Sequence, residues 1–125
     1  MGFWIFMLIM VLLIPITMII FGRLFKVKPP QKINPLFGYR TSMSMKNMDT
    51  WRFAHYTAGT FWFLAGIVIL PITVVSMLMV IQQPVQLVGT VGGVLVVIQI
   101  IFLISDIFYT ERQLKKNFDQ NGNRK

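Results

Sequence analysis

The fold is decided first by residues 2–22, GFWIFMLIMVLLIPITMIIFG, a run of 21 residues without a charged side chain. A bilayer core about 30 Å thick is crossed by roughly 20 apolar residues in an α-helix. The first basic residue, Arg23, comes after the run, and no small-residue cleavage site follows it, so the segment lacks the layout of a signal peptide. We therefore expect a retained transmembrane helix.

Two further apolar blocks have the same character. The second extends from Phe53 to Ile81 and the third from Val85 to Tyr109. Neither alternates polar and apolar residues with a period of two, and a chain in lipid must satisfy its own backbone hydrogen bonds, which a helix does. The sequence predicts an all-α membrane protein with transmembrane helices over about 2–22, 53–81 and 86–109. They would form a single domain, 1–125, with a polar tail at 110–125.

Charge is distributed unevenly along the chain. Residues 23–52 contain seven basic residues and one acidic residue, a net charge of +6, and the tail after Tyr109 contains five basic and two acidic residues. The connection around Pro84 has none. Because basic residues beside spans stay in the cytoplasm, we expect a multi-pass protein of the cell membrane with its N-terminus outside and its first loop and C-terminus in the cytoplasm. Topology and anionic headgroups thus explain the net charge of +8, and no nucleic-acid partner is expected.

The loop between the first two blocks carries the most motif-like stretch, FGYRTSMSMKNMDTW at residues 37–51. Prolines before this stretch keep the chain extended, and Gly38 permits a tight turn or a close backbone approach. Ser44, Asn47 and Asp49 are residue types that cap helix N-termini. We predict that Asn47 or Asp49 begins the second helix, after a short helical turn.

Trp51 and His55 follow one turn apart on the second helix and therefore share a face. Trp51 is expected to anchor the junction at the membrane interface. His55 is the only histidine, and the chain has no cysteine, so no metal site is expected from spacing. We expect His55 to form interface hydrogen bonds. No nucleophile–base pair, phosphate loop or other catalytic motif is present, which predicts a protein without a cofactor that is not an enzyme.

Asp106 is the one acidic residue inside an apolar block. A carboxylate within a membrane needs a partner, and Arg40 or Arg52 of the basic loop is predicted to form an ion pair with it. That pair would fix the loop onto the third helix. Proton or ligand handling by Asp106, and simple extension of its carboxylate to water, are the alternatives.

The third block also carries residues typical of helix contacts. Gly89 and Gly93 form a G-x-x-x-G pair, which serves either packing within the chain or homo-oligomerisation. Gln99 lies mid-span, and we expect its amide to hydrogen-bond a neighbouring helix.

The stretch from Phe37 to His55 resembles the SdpI family of small bacterial membrane proteins. That family shows G-[YFW]-R-T, then S-x-x-N, then W-x-x-A-[NH] at the start of a membrane helix. The matching residues here are Gly38, Arg40, Thr41, Ser44, Asn47, Trp51 and His55. The resemblance implies membrane residence and a role in immunity to, or sensing of, a secreted membrane-active peptide.

Three functions follow as hypotheses. The first is a toxin-immunity or envelope-protection factor that binds a peptide toxin, a lipid or another membrane protein in the bilayer. The second is a small transporter, or a transporter subunit, in which Asp106 handles protons or a cationic substrate. The third is a membrane enzyme acting on lipid or peptide. The residues predicted to form the binding site are Gly38, Arg40, Thr41, Ser44, Asn47, Asp49, Trp51, His55 and Asp106.

Overall fold

Three long helices form the protein, and no β-strand accompanies them. The computed structural model describes all 125 residues, with α1 at Gly2–Val27, α2 at Met48–Met79 and α3 at Val85–Asn117. Each helix contains a stretch long and apolar enough to cross a bilayer. The prediction of an all-α protein with three transmembrane helices is confirmed.

The helices extend further than the apolar blocks at one end of the molecule, which we call the loop side because residues 28–47 lie there. There α1 continues to Val27, α2 begins at Met48, and α3 continues to Asn117. A helix of 33 residues is about 50 Å long, whereas the bilayer core is about 30 Å thick. The predicted bounds mark only the apolar portions, and polar turns continue each helix beyond them.

Helices α1 and α2 contact one another backbone to backbone through glycine. A Cβ atom added at Gly22 would lie 2.5 Å from the amide nitrogen of Phe63 and 2.8 Å from the carbonyl oxygen of Gly59. A Cβ atom at Gly59 would lie 2.6 Å from the carbonyl oxygen of Gly22. Without a strong hydrophobic force between helices in lipid, close contact of this kind is a main source of association.

Gly89 and Gly93, the G-x-x-x-G pair of α3, make no close backbone contact with another helix. The prediction that they serve packing within the chain is wrong. An added Cβ at Gly93 would meet nothing within 4 Å, and at Gly89 it would meet only the ring of Phe3, at 3.7 Å. Gly92 is the buried glycine of α3, and it packs against the side chain of Met7. The reason is helical phase: Gly92 shares the inward face with Gln99, two turns away, while Gly89 and Gly93 lie together on a face rotated by about 60–100° from it. Homo-oligomerisation through Gly89 and Gly93 stays a prediction.

The three helices also meet at a polar contact in mid-span. The side-chain amide of Gln99 donates to the carbonyl oxygen of Val11 on α1 at 2.9 Å and to the hydroxyl of Thr73 on α2 at 3.0 Å. The expectation that Gln99 hydrogen-bonds a neighbouring helix is confirmed. Beyond it, Val11, Met77, Val80, Val88 and Leu95 form an apolar core.

The polar tail folds back onto the loop side. Phe118, only 1% exposed, packs with Tyr39, Ala54, Ala58 and Leu114. Beyond Phe118 the chain reverses, and the Lys125 amide donates to the carbonyl of Asn117 at 3.0 Å. The tail is helical through Asn117 and then forms a compact turn.

The glycine contact predicts a sharp difference between two Gly→Ala substitutions. Gly22→Ala places a methyl group against backbone that cannot rotate away, and we expect a loss of about 1–3 kcal/mol in unfolding free energy. Gly93→Ala is the matched control, because its methyl group enters open space and improves helix propensity by up to about 1 kcal/mol. Unfolding in mixed micelles, followed by circular dichroism, measures both. Equal stability of the two variants would contradict the α1–α2 contact.

Candidate functional site

The ring of His55 joins the loop to α2. The residue is completely buried, and its Nδ1 lies 2.8 Å from the carbonyl oxygen of Trp51, while its Nε2 lies 2.9 Å from the backbone nitrogen of Tyr39. A carbonyl can only accept and a backbone N–H can only donate. His55 is therefore neutral, with its proton on Nδ1, and Nε2 accepts from Tyr39. Both nitrogens are used in docking the loop.

Gly38 packs directly beneath this ring. Its φ angle is +112°, a conformation that side-chain-bearing residues rarely adopt. An added Cβ would also lie 2.5 Å from Nε2 of His55 and 3.2 Å from Cγ of Pro30. Trp51 completes the contact, because its indole nitrogen donates to the carbonyl oxygen of Pro30 at 2.8 Å. Glycine is thus required here both for its backbone conformation and for its lack of volume.

Thr41 and Ser44 close a turn of their own. The Thr41 amide donates to the Ser44 hydroxyl at 2.9 Å, and the Ser44 amide donates to the Thr41 hydroxyl at 3.2 Å. The Ser44 hydroxyl also lies 3.0 Å from the carbonyl oxygen of Tyr39. Ser44 therefore shapes the short turn that leads into α2 and does not cap α2 itself.

Asn47 caps α2, as one of the two predicted alternatives. Its Oδ1 accepts from the Thr50 amide at 2.9 Å, and the Thr50 hydroxyl accepts from the Asn47 amide at 3.1 Å, which makes a reciprocal capping box. Its side-chain nitrogen also donates to the carbonyl oxygen of Gly122 at 2.7 Å. One residue thus joins the loop, the start of α2 and the tail.

Asp49 takes a different position from Asn47. It lies in the first turn of α2, where a carboxylate is favoured by the helix dipole, and its Oδ2 is 3.4 Å from Nε of Arg124. Both side chains are more than half exposed. Asp49 helps to hold the tail and does not line the site.

The predicted ion pair of Asp106 is wrong. Asp106 is 1% exposed, and its one hydrogen-bond partner is the Thr110 hydroxyl, 2.9 Å from Oδ1. The guanidinium of Arg40 bends back to donate to the carbonyl oxygen of Pro35, and Arg52 lies on an exposed face of α2. The Asp49–Arg124 pair is the only salt bridge in the protein. The hydrogen-bond donor to Asp106 is therefore Thr110, one turn further along the same helix, and not an arginine of the loop.

Arg40 and Asp106 nevertheless line the same cavity. It has a volume of about 390 Å³ and is lined by the turn at residues 38–41, by α2, by α3 and by Phe25 of α1. Trp62 also lines it, and the indole N–H of Trp62 is buried without a partner. The cavity therefore combines a carboxylate acceptor with guanidinium and indole donors. Such a set suits a ligand that both donates and accepts hydrogen bonds, as an amide or a hydroxyl does.

Tyr39, in the middle of the motif, was missed as a functional residue. Its phenol donates to Glu111 Oε1 at 2.9 Å and so links the loop to α3. Burial, reinforced by the neighbouring carboxylate of Glu111, raises the pKa of Tyr39 above its ordinary value of 10.0, so the phenol keeps its proton at neutral pH. Its position as an aromatic residue inside a polar motif was the feature of the sequence that could have identified it. Trp62 was missed as well, because nothing in an apolar run distinguishes an unpaired indole.

The nine predicted residues divide into three groups. Gly38, Arg40, Thr41 and Asp106 line the cavity. Ser44, Asn47, Trp51 and His55 lie outside its wall and fix the shape of the loop. Asp49 is exposed at the tail. No cluster of three His, Cys, Asp or Glu residues that would hold a metal ion is present.

The fold and this site define a multi-pass membrane protein whose first loop is docked against all three helices. The chain belongs to the SdpI/YfhL protein family, whose family model matches residues 31–110. That range contains the motif, α2, and α3 as far as Thr110, and hence every polar residue of the cavity. A similar protein is the uncharacterized protein YfhL of Bacillus subtilis (strain 168), which is 31% identical over 112 residues, covering 86% of this chain and 88% of that protein. No solved structure matches the chain.

Because Asn47 both caps α2 and binds the tail, we expect it to stabilise the protein and the tail more than the Asp49–Arg124 salt bridge does. Asn47→Ala removes the cap and the tail contact, and we expect a loss of about 1 kcal/mol with faster amide hydrogen exchange in residues 118–125. Asp49→Asn breaks an exposed ion pair, which contributes at most about 1 kcal/mol and commonly less. Hydrogen exchange with mass spectrometry and thermal unfolding compare the two. Faster tail exchange in Asp49→Asn than in Asn47→Ala would show that the salt bridge holds the tail.

Proposed function

We propose that this protein is a toxin-immunity or envelope-protection factor that binds a peptide, lipid or membrane partner at the cavity beside residues 38–41. The observation that carries the proposal is the meeting of the family motif with Asp106. Gly38, Arg40 and Thr41 from the loop and Asp106 from α3 line one cavity. Arg40 and Asp106 form no salt bridge with one another. Family membership supports the same role.

The polar groups of the cavity favour a peptide over a plain lipid chain. A peptide backbone carries donors and acceptors together, and these match the Asp106 carboxylate and the indole N–H of Trp62. The remaining cavity surface is apolar, with Phe25, Leu103 and Ile107 among its lining residues, and suits a hydrophobic side chain. Partially desolvated charges bind such groups more strongly than charges in water do.

We further propose that the N-terminus lies outside the cell and the C-terminus in the cytoplasm. The support is the basic loop and the basic tail, which both lie on the loop side. This orientation places the cavity near the cytoplasmic face. A secreted peptide would then reach the cavity after entering the bilayer, so protection would act on the inserted form of a toxin.

A small transporter that uses Asp106 is the second candidate. It is favoured by one observation: a buried carboxyl group on a transmembrane helix has a hydroxyl partner and no counter-ion. Such carboxyl groups are found along proton and ion pathways in membrane proteins.

The immunity proposal predicts that expression of the full-length chain protects a sensitive bacterium. Cells are challenged with a panel of secreted membrane-active peptides, and survival and membrane potential are measured. Arg40→Gln should weaken protection, because loss of one charge-assisted hydrogen bond lowers affinity about tenfold to a hundredfold. Lys115→Gln is the matched control, since it removes an exposed positive charge of α3 away from the cavity.

Asp106→Asn separates the two candidates, because it keeps the shape of the side chain and removes its ability to ionise. If the protein protects cells as a transporter, Asp106→Asn should abolish protection and Arg40→Gln should leave it unchanged. A binding protein should be weakened by both substitutions. Absence of protection against every peptide by the well-expressed wild type would refute the immunity role.

The proposed orientation predicts the behaviour of a reporter fused after Lys125. A fluorescent protein that matures only in the cytoplasm should be bright, and alkaline phosphatase, which is active only outside, should be silent. The same pair fused before Met1 should behave in the opposite way. Phosphatase activity at the C-terminus would overturn the proposed orientation and would leave the three-helix fold unchallenged.

A further inference from the structure

A second cavity lies between α2 and α3 and shares no residue with the first. It is an apolar groove of about 540 Å³ that extends along α2 from Tyr56 to Thr73 and along α3 from Leu95 to Tyr109. Seventeen helical steps on α2 correspond to about 25 Å. No charged residue lines the groove.

An unsatisfied acceptor lies in the wall of this groove. Gln99, 1% exposed, lines it, and Oε1 of Gln99 is buried without a hydrogen-bond partner. The orientation of the amide is fixed, because its nitrogen faces the carbonyl of Val11, which can only accept. The Thr60 hydroxyl, further along the same groove, is also buried and unpaired.

The depth of Gln99 restricts what can satisfy it. Its partner Val11 lies nine residues from Gly2, or about 14 Å along α1, close to the centre of a bilayer core about 30 Å thick. Polar groups of lipids stay at the interfaces, and the core contains no water to supply a donor. A polar side chain on another transmembrane helix is the group that supplies donors at this depth.

We propose that the groove binds a transmembrane helix of another protein whose face is uncharged and carries one Ser, Thr, Asn or Gln at mid-membrane depth. The groove length fits about 17 residues of such a helix, and its donor would reach Oε1 of Gln99. This site is separate from the cavity beside residues 38–41, so the inference does not depend on the immunity role.

A second copy of the chain fits the groove less well. The hydroxyls of Ser76, Thr90 and Ser105 already donate to carbonyls of their own helices. Thr17, exposed on α1, lies fifteen residues from Gly2, or about 22 Å along the helix, and therefore not at the depth of Gln99. The experiment below separates the two occupants.

The test uses the full chain and two synthetic probes. The chain contains no cysteine, so Lys125→Cys accepts a single donor fluorophore. The probes are acceptor-labelled alanine–leucine transmembrane peptides with either Asn or Leu at the centre, in phosphatidylcholine vesicles. Energy transfer should show that the Asn peptide associates about threefold to twentyfold more strongly than the Leu peptide, the size of interhelical hydrogen bonds in membranes. Gln99→Leu should abolish the preference, and Ser105→Ala, outside the groove, should keep it.

A second variant guards against misfolding of Gln99→Leu. Val68 lines the groove and is 61% exposed, so Val68→Trp should fill the groove while the bonds of Gln99 to Val11 and Thr73 persist. It should weaken binding of the Asn peptide. Equal binding of both peptides to the wild type, or a preference retained in Gln99→Leu, would overturn the proposal. Energy transfer between labelled copies of the protein that Val68→Trp abolishes would assign the groove to a second copy and overturn it too.

Discussion

The loop can be docked only because one imidazole ring bonds two backbone groups at once. His55 lies about two turns into α2, donates to the carbonyl of Trp51 in its own helix, and accepts from the amide of Tyr39 in the loop. A ring that bonded only its own helix would leave the Tyr39 amide buried without a partner, which is costly in an apolar surrounding. Gly38 and Trp51 then have to fit around the ring. The motif is in this sense the set of residues that one buried histidine requires.

The docked loop extends this constraint to the rest of the loop side. The Tyr39 phenol hydrogen-bonds Glu111 and so fixes the loop to α3. The Asn47 side chain hydrogen-bonds the Gly122 carbonyl and so fixes the start of α2 to the tail. The loop, the start of α2 and the tail therefore form one folded cap over the ends of the helices. The cavity with Arg40 and Asp106 lies under this cap, which explains why residues far apart in sequence share its lining.

Much of the architecture was predictable because it rests on local rules. Three apolar blocks predict three helices, since lipid leaves no alternative for the backbone, and Asn47 was a predicted cap because its side chain satisfies amides three residues away. The partner of Asp106 was not predictable. Arg40 had the right charge and a sufficient length, but its direction depends on the turn at residues 35–40, whereas Thr110 was one helical turn away. Similarly, Gly89 and Gly93 match a contact motif, and only the rotation of α3 about its axis made Gly92 the buried glycine.

The backbone contact between Gly22 and Gly59 has a consequence for motion. Two helices whose backbones touch leave no space for a lipid chain, a ligand or a small sliding movement between them, so α1 and α2 behave as one rigid body. Helix α3 has no comparable glycine contact with α1 or α2 over most of its length, and it joins α2 through the short segment Val80–Pro84, where Gln82 adopts a φ of +66°. Both cavities have α3 as a wall. The first cavity is also lined by the turn at residues 38–41, whereas the groove is lined by α2 and α3 alone. A change in the width of the groove therefore requires α3 to move relative to the α1–α2 pair.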